Sequence, residues 1–308
     1  MPLSSRLRLL IAALTFAAAL PAPVHSQEVD KLRIGGSDIE VRFDATPEAA
    51  FRQVTLEWIT RAATAVTVYY TRFPVSHVDI YVHPRPGKSV GRGTASGEEG
   101  AHIDVALGTG ISAKALANGR NNWLMTHEMV HLALSGVQES HHWLEEGLAT
   151  YVEPIARVRA GELKASQVWN DMVEGMPSGE PGAGDEGLDH TPTWGRTYWG
   201  GAMFCLVADV EIRKQTHNSM GLETALRAIV QSGGNIETDW GMQKVLETGD
   251  KAIGTPILMP LYEKMKDAPS PVDLASLWKQ LGIKAGEGTV SFDDKAPLAP
   301  VRDAIMRP

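Results

Sequence analysis

Between Trp123 and Leu134 the chain is nearly all apolar, yet it carries His127, Glu128 and His131 at its centre. Such a run reads as a core helix, and burying two imidazoles and a carboxylate there is costly unless something binds them. Histidines four residues apart lie on one helix face, one turn from each other, so both rings can reach a single ion. Glu128 sits about 100° further round, beside that ion but outside its coordination sphere, where it can take a proton from an attacking water. The His-Glu-x-x-His spacing therefore reads as a zinc site, one ion per chain. The competing reading is a polar stripe on an amphipathic helix.

A catalytic zinc takes three protein ligands and keeps one position open. His141, His142, Glu145 and Glu146 stand close downstream, at or on a second helix expected over about 142–158. Leu144, Leu148, Tyr151, Val152 and Ile155 mark the packing face of that helix, and Glu146 points to a different side. A short connection from Gly136 would make the two helices an antiparallel pair and return Glu146 beside the histidines.

This arrangement resembles the gluzincin metallopeptidases, in which the His-Glu-x-x-His helix is followed by a second helix bearing an acidic ligand, often directly before glycine. The resemblance implies a thermolysin-like fold with the active site between two lobes. It also implies that Glu146, preceding Gly147, is the third ligand, with Glu145 a neighbour and His141 and His142 as rivals. The metzincin pattern does not fit, because Leu134 and Val137 occupy its glycine and histidine positions. Tyr198-Trp199-Gly200-Gly201 is similar to the Tyr-x-Lys-Gly sequence of zinc aminopeptidases, with Gly200 in place of lysine. That likeness implies that the Tyr198 hydroxyl steadies the oxyanion; a core tyrosine is the alternative. The stretches Tyr151 to Glu153, Arg157 to Gly161, Leu206 to Arg213, Gly221 to Arg227, Leu277-Trp278 and Phe292 to Arg302 resemble glycyl aminopeptidases, loosely, so the likeness runs over about 121–305. The chain leaves no room for the large N-terminal β-domain or the PDZ domain of such enzymes, and it shows no Gly-x-Met-Glu-Asn segment. Glu98 and Glu99 are weak candidates for gripping an amine, and residues near 101–107, read as an edge strand, for aligning a substrate backbone.

The remaining pattern gives the fold class α+β: a small N-terminal mixed α/β lobe over 27–120, then a mainly helical lobe over 121–308. Residues 31–43 read as strand-like, punctuated by Gly35 and Gly36. A helix follows Thr46-Pro47-Glu48 to about Arg72, and strands are expected at 75–83 and 101–107, joined through a Gly-rich connection over 87–100. The zinc helix is expected over 122–135, its partner with a kink at Pro154, and further helices over 163–174, 196–216, 221–232, 238–247, 256–267 and 271–281. The Gly/Pro-rich stretch from Gly175 to Gly195 reads as disordered or as a lid, and 288–308 as an extended tail with some strand character.

Arg6 and Arg8 precede the apolar run Leu9 to Leu20 and a boundary of prolines and small residues, the layout of a secretory signal peptide over 1–26. That run is short for a membrane anchor. Removing the two arginines takes the net charge of −8 to −10, a balance against nucleic acid or an anionic membrane as partner. The expected product is exported, periplasmic or secreted. Cys205 is the single cysteine among 308 residues, so no internal disulfide can form. The functional reading is a zinc peptidase acting on a peptide or protein. A zinc hydrolase of other substrates and a silent zinc-binding module are the alternatives.

Overall fold

The computed structural model describes residues 29–117, 122–136 and 138–307. The expected leader over 1–26 and the expected lobe boundary at 120–121 lie outside the described residues. Strands β1 (Val29–Ile34) and β2 (Ser37–Phe43) form an antiparallel hairpin. Its turn is Gly35-Gly36 with φ of 60° and 88°, the left-handed geometry that a two-residue hairpin needs and glycine supplies. The helix α1 (Ala49–Tyr70) crosses to β3 (His77–Arg85), which is followed by β4 (Val90–Ser96) and β5 (His102–Gly108). The sheet order is β1-β2-β3-β5-β4, with β2, β3 and β5 parallel and the two outer strands antiparallel to their neighbours.

Alternation decides which face is inside. Ile39, Val41 and Phe43, then Val78, Ile80 and Val82, then Ile103, Val105 and Leu107 are buried on one face. The other face carries charge, with Arg42 reaching both Glu40 and Asp79 and Lys31 reaching Glu40. Asp79 is also 3.3 Å from His77. Helix α1 buries Phe51, Trp58, Ile59, Ala62, Ala63, Val66, Tyr69 and Tyr70, and turns Gln53, Glu57, Thr60 and Thr64 to solvent. It is a central helix, packing against the helices that follow as well as the sheet side, and one continuous apolar core joins the two lobes.

The helical part comprises α2 (Ala113–Ala117), α3 (Trp123–His131), α4 (His142–Arg159), α5 (Ala165–Gly175), α6 (Gly201–Gln215), α7 (Leu222–Gln231), α8 (Met242–Ile253), α9 (Leu258–Met265), α10 (Leu274–Leu281) and α11 (Ala299–Met306). A small hairpin, β6 (Ile283–Gly286) with β7 (Thr289–Phe292), precedes the last helix. None of the helices among the described residues is long and apolar enough to cross a membrane.

The structure departs from the sequence reading in several places. The expected connection over 87–100 contains β4, an edge strand, so residues 101–107 are an interior strand rather than the edge. The helix expected over 122–135 ends at His131, four residues early, because the chain turns to bond with the 235–240 loop: the Leu132 carbonyl accepts from the Ile236 amide, and the Ser135 hydroxyl donates to the Thr238 carbonyl. The stretch 175–195 is not without structure. Arg196 pairs with buried Asp185 at 2.7 Å and donates to the Gly179 carbonyl, while Leu188 is buried and bonds back to Met265. The expected tail has its strand in β7 but ends in a helix, α11, with Val301, Ile305 and Met306 buried. Helix α4 runs on through Pro154.

Candidate metal centre

Helix α3 is buried along its length from Leu124 to Val130 because α1, α4 and β4 surround it. Its entry is fixed by the Trp58 indole, which donates to the Asn122 carbonyl at 2.9 Å. Helix α4 is locked to that same point: Arg157, itself buried, donates to both Glu153 and the Asn122 side chain. A second contact fixes α4 from the opposite side. A Cβ on Gly147 would lie 2.2 Å from the Gly201 Cα, and one on Gly201 would lie 2.1 Å from the Trp143 carbonyl oxygen. The backbones of α4 and α6 touch there. The glycine after Glu146 is therefore a packing requirement of the helix pair.

These constraints bring three donors together. His127 Nε2 lies 3.1 Å from Glu146 Oε2, His131 Nε2 lies 3.7 Å from the same oxygen, and all three ligand atoms fall within 4.8 Å of one another. Zinc holds such donors at about 2.0–2.2 Å, which spaces neighbours in a tetrahedral shell roughly 3.3–3.6 Å apart. The donor set and its spacing fit the ion. Burial, with the neighbouring His127, pushes His131 down to about 3, so its ring is neutral and offers a lone pair. Burial opposes the charge on Glu146, yet the hydrogen bond with His127 and the nearby histidines hold its carboxyl below the ordinary value.

Glu128 is buried beside this cluster and belongs to a different face. Burial raises its carboxyl to about 7, and Glu146 adds to the rise, while His127, the Ala95 amide and Arg92 work against it. Strand β4 runs directly over it. A Cβ on Gly93 would sit 2.9 Å from Glu128 Cγ and Oε1, and one on Gly91 would meet the Arg85 guanidinium at 2.5 Å. Small residues recur at every second position, Gly91, Gly93, Ala95 and Gly97. That period of two is the strand signal that was there to be read.

Tyr198 stands on a wide, π-type turn, Gly195–Gly200, that leads into α6, a local geometry frequent at functional sites. Burial, then the charge of Glu146 and a hydrogen bond with it, then Glu128, raise the phenol's pKa. The hydroxyl stays protonated and lies at the cluster. The rivals fall elsewhere. His141 points to Tyr262 and Asp189 at 3.1 and 3.4 Å. Glu145 pairs with His142, and His142 Nε2 approaches the outer oxygen of Glu146 at 3.5 Å without joining the three-donor group. Asp189 also accepts from the Trp143 indole and the Tyr262 hydroxyl, tying the 176–195 segment to the start of α4. The sequence reading missed β4 as the covering strand and the exposed Trp123 and Trp194 at the cluster's rim. It also missed the Asn122–Glu153–Arg157 lock.

No family model and no curated protein matches the sequence. The fold does match solved structures. An aminopeptidase N family protein from Idiomarina loihiensis superposes with a TM-score of 0.63 at 14% identity, covering 84% of this chain and 49% of that one. An M1 zinc metallopeptidase from Deinococcus radiodurans superposes with a TM-score of 0.47 at 13% identity, over 80% of this chain and 54% of that one. The chain thus spans about half the length of the structures it matches, and the first likeness establishes a shared α+β fold.

Proposed function

We propose that this chain is a zinc-dependent peptidase of the gluzincin type. The observation that carries the reading is the convergence of His127, His131 and Glu146 on one point inside the protein, with Glu128 beside it. His127, His131 and Glu146 would hold the ion. When bound, zinc acts as a Lewis acid on a carbonyl oxygen and makes water a better nucleophile at neutral pH.

The other residues supply positioning and proton transfer. Glu128, held in a dry setting under β4, takes the proton of the attacking water and returns it to the leaving amine. Tyr198 donates its hydroxyl hydrogen to the oxygen of the scissile carbonyl as negative charge develops there. The free edge of β4 passes over Glu128, so an extended peptide can add to the sheet there and present its backbone in register. In this reading the partner is a peptide or protein substrate, with neither nucleic acid nor a membrane surface engaged, and the protein is exported. The resemblance to glycyl aminopeptidases belongs to the same proposal.

The test is metal content of the purified protein, followed by cleavage of a peptide library. About one zinc per chain is expected in the wild type, in Glu145→Ala and in His141→Ala, and loss of zinc in Glu146→Ala. A zinc-free wild type would sink the reading. Zinc lost in His141→Ala instead would move the third ligand to a different residue.

A further inference from the structure

Single exposed apolar side chains are ordinary on a protein surface, but the two largest here stand against the site. Among the described residues the large hydrophobic side chains that are exposed are Trp123, Trp194 and Phe292. The Trp123 ring meets the His127 ring edge to face at 5.2 Å and 88°, and remains 43% exposed. The Trp194 ring stacks on Tyr198 at 5.9 Å and 28°, and remains 65% exposed. His127 and Tyr198 both reach Glu146. Each indole is therefore one ring removed from the carboxylate at the centre, one at the start of α3 and the other on the turn before α6.

Tryptophan offers a large, rigid apolar surface with few torsions to freeze, which is why it anchors so many binding sites. Aromatic or aliphatic groups laid on such a ring recover area that water otherwise covers, and ring-on-ring contacts add to this. Acidic side chains find the opposite conditions, since the rings that the indoles touch, His127 and Tyr198, both reach the Glu146 carboxylate.

We propose that Trp123 and Trp194 are platforms for substrate side chains, and that the site takes peptides with an aromatic or bulky aliphatic residue next to the bond that is cut. This rests on the peptidase reading above. It assigns the two tryptophans to specificity, leaving the proton transfers with Glu128 and Tyr198.

The experiment is calorimetric binding to the full chain carrying Glu128→Ala, loaded with zinc so that peptide is bound but not consumed. Phe-Phe-Ala and Ala-Phe-Phe-Ala are each titrated against their all-alanine counterparts. At least one phenylalanine peptide should bind about tenfold more tightly than its counterpart. That advantage should shrink to below about threefold in Trp194→Ala or Trp123→Ala, and return largely in the corresponding Trp→Phe variant. Equal binding of the phenylalanine and alanine peptides, or a preference that survives both alanine variants, would overturn the proposal. Zinc content of the same samples separates the two readings. Zinc-loaded protein without the preference sinks this inference alone, whereas protein that takes up no zinc sinks both.

Discussion

Two clusters in this molecule hold similar donors at similar spacing. His127, His131 and Glu146 form one, and Glu40, His77 and Asp79 form the other, each with its ligand atoms within 4.8 Å. Their settings are opposite. The first lies in the core between α3 and α4, where no lysine or arginine among the described residues pairs with Glu146 and desolvation strips His131 of its proton. The second lies on the outer face of the sheet, where Arg42 sits between Glu40 and Asp79 and Lys31 holds Glu40. Guanidinium and ammonium groups already neutralise the outer cluster, and water screens what remains. Donor type and distance are thus shared, and what separates a cation-hungry site from a satisfied surface is whether the charge has an internal partner.

The largest effect should appear when each cluster loses one carboxylate function. Glu128→Gln beside the inner cluster should retain zinc and lower peptide hydrolysis by on the order of 10²–10⁴-fold. Asp79→Asn in the outer cluster should change hydrolysis by less than about twofold, as surface substitutions away from a site do. Comparable losses in both variants, measured as kcat/KM on one peptide, would erase the distinction.

A second effect sharpens the structural side of the contrast. Gly147→Ala places a methyl group where the Gly201 Cα already is, at 2.2 Å. Forcing α4 and α6 apart should cost about 1–3 kcal/mol or more and weaken zinc binding with it, because Glu146 rides on the displaced helix. Thermal unfolding and zinc affinity should fall together. A variant that melts as the wild type does would show that the two helices separate freely.

The smallest effect lies on the sheet face. Hydrogen bonds with Asp104 and then Asp44 raise the pKa of His83, so its protonated form is favoured in the folded protein. The stabilisation is complete below the ordinary histidine value and fades as pH rises through the raised one. His83→Ala should flatten that part of the curve of Tm against pH and leave zinc content unchanged. An identical pH profile in the variant would show that the histidine contributes nothing there.

The sequence carried the inner cluster because its chemistry violates its surroundings. Two histidines and a glutamate inside Trp123 to Leu134 stand out from the apolar run, and the spacing of four is a geometric statement about a helix. Glu146 was legible only through a likeness, since periodicity alone leaves Glu145, His141 and His142 in play. His141 stands aside for a tertiary reason, its contact with Asp189 in a distant segment of the chain, whereas Glu145 is engaged locally by His142 on the same helix. Strand β4 escaped notice because glycine carries no hydrophobic signal, although its alternation was present in the letters. The order in 175–195 escaped for a related reason. Its packing depends on few residues, Asp185, Leu188 and Arg196, whose partners lie outside the segment or at its far end.

The touching glycines of α4 and α6 have a consequence for which positions must keep their residues. Glu146 stands directly before one of them, and Tyr198 three residues before the other, so the distance between these two groups is set by backbone meeting backbone. Geometry specified by two missing side chains makes few demands on the chemistry around it. Neighbouring positions can be rewritten while these two groups keep their separation, provided the two bare positions stay bare. The Idiomarina loihiensis protein has the same fold at 14% identity, so the fold itself tolerates wide change in its letters.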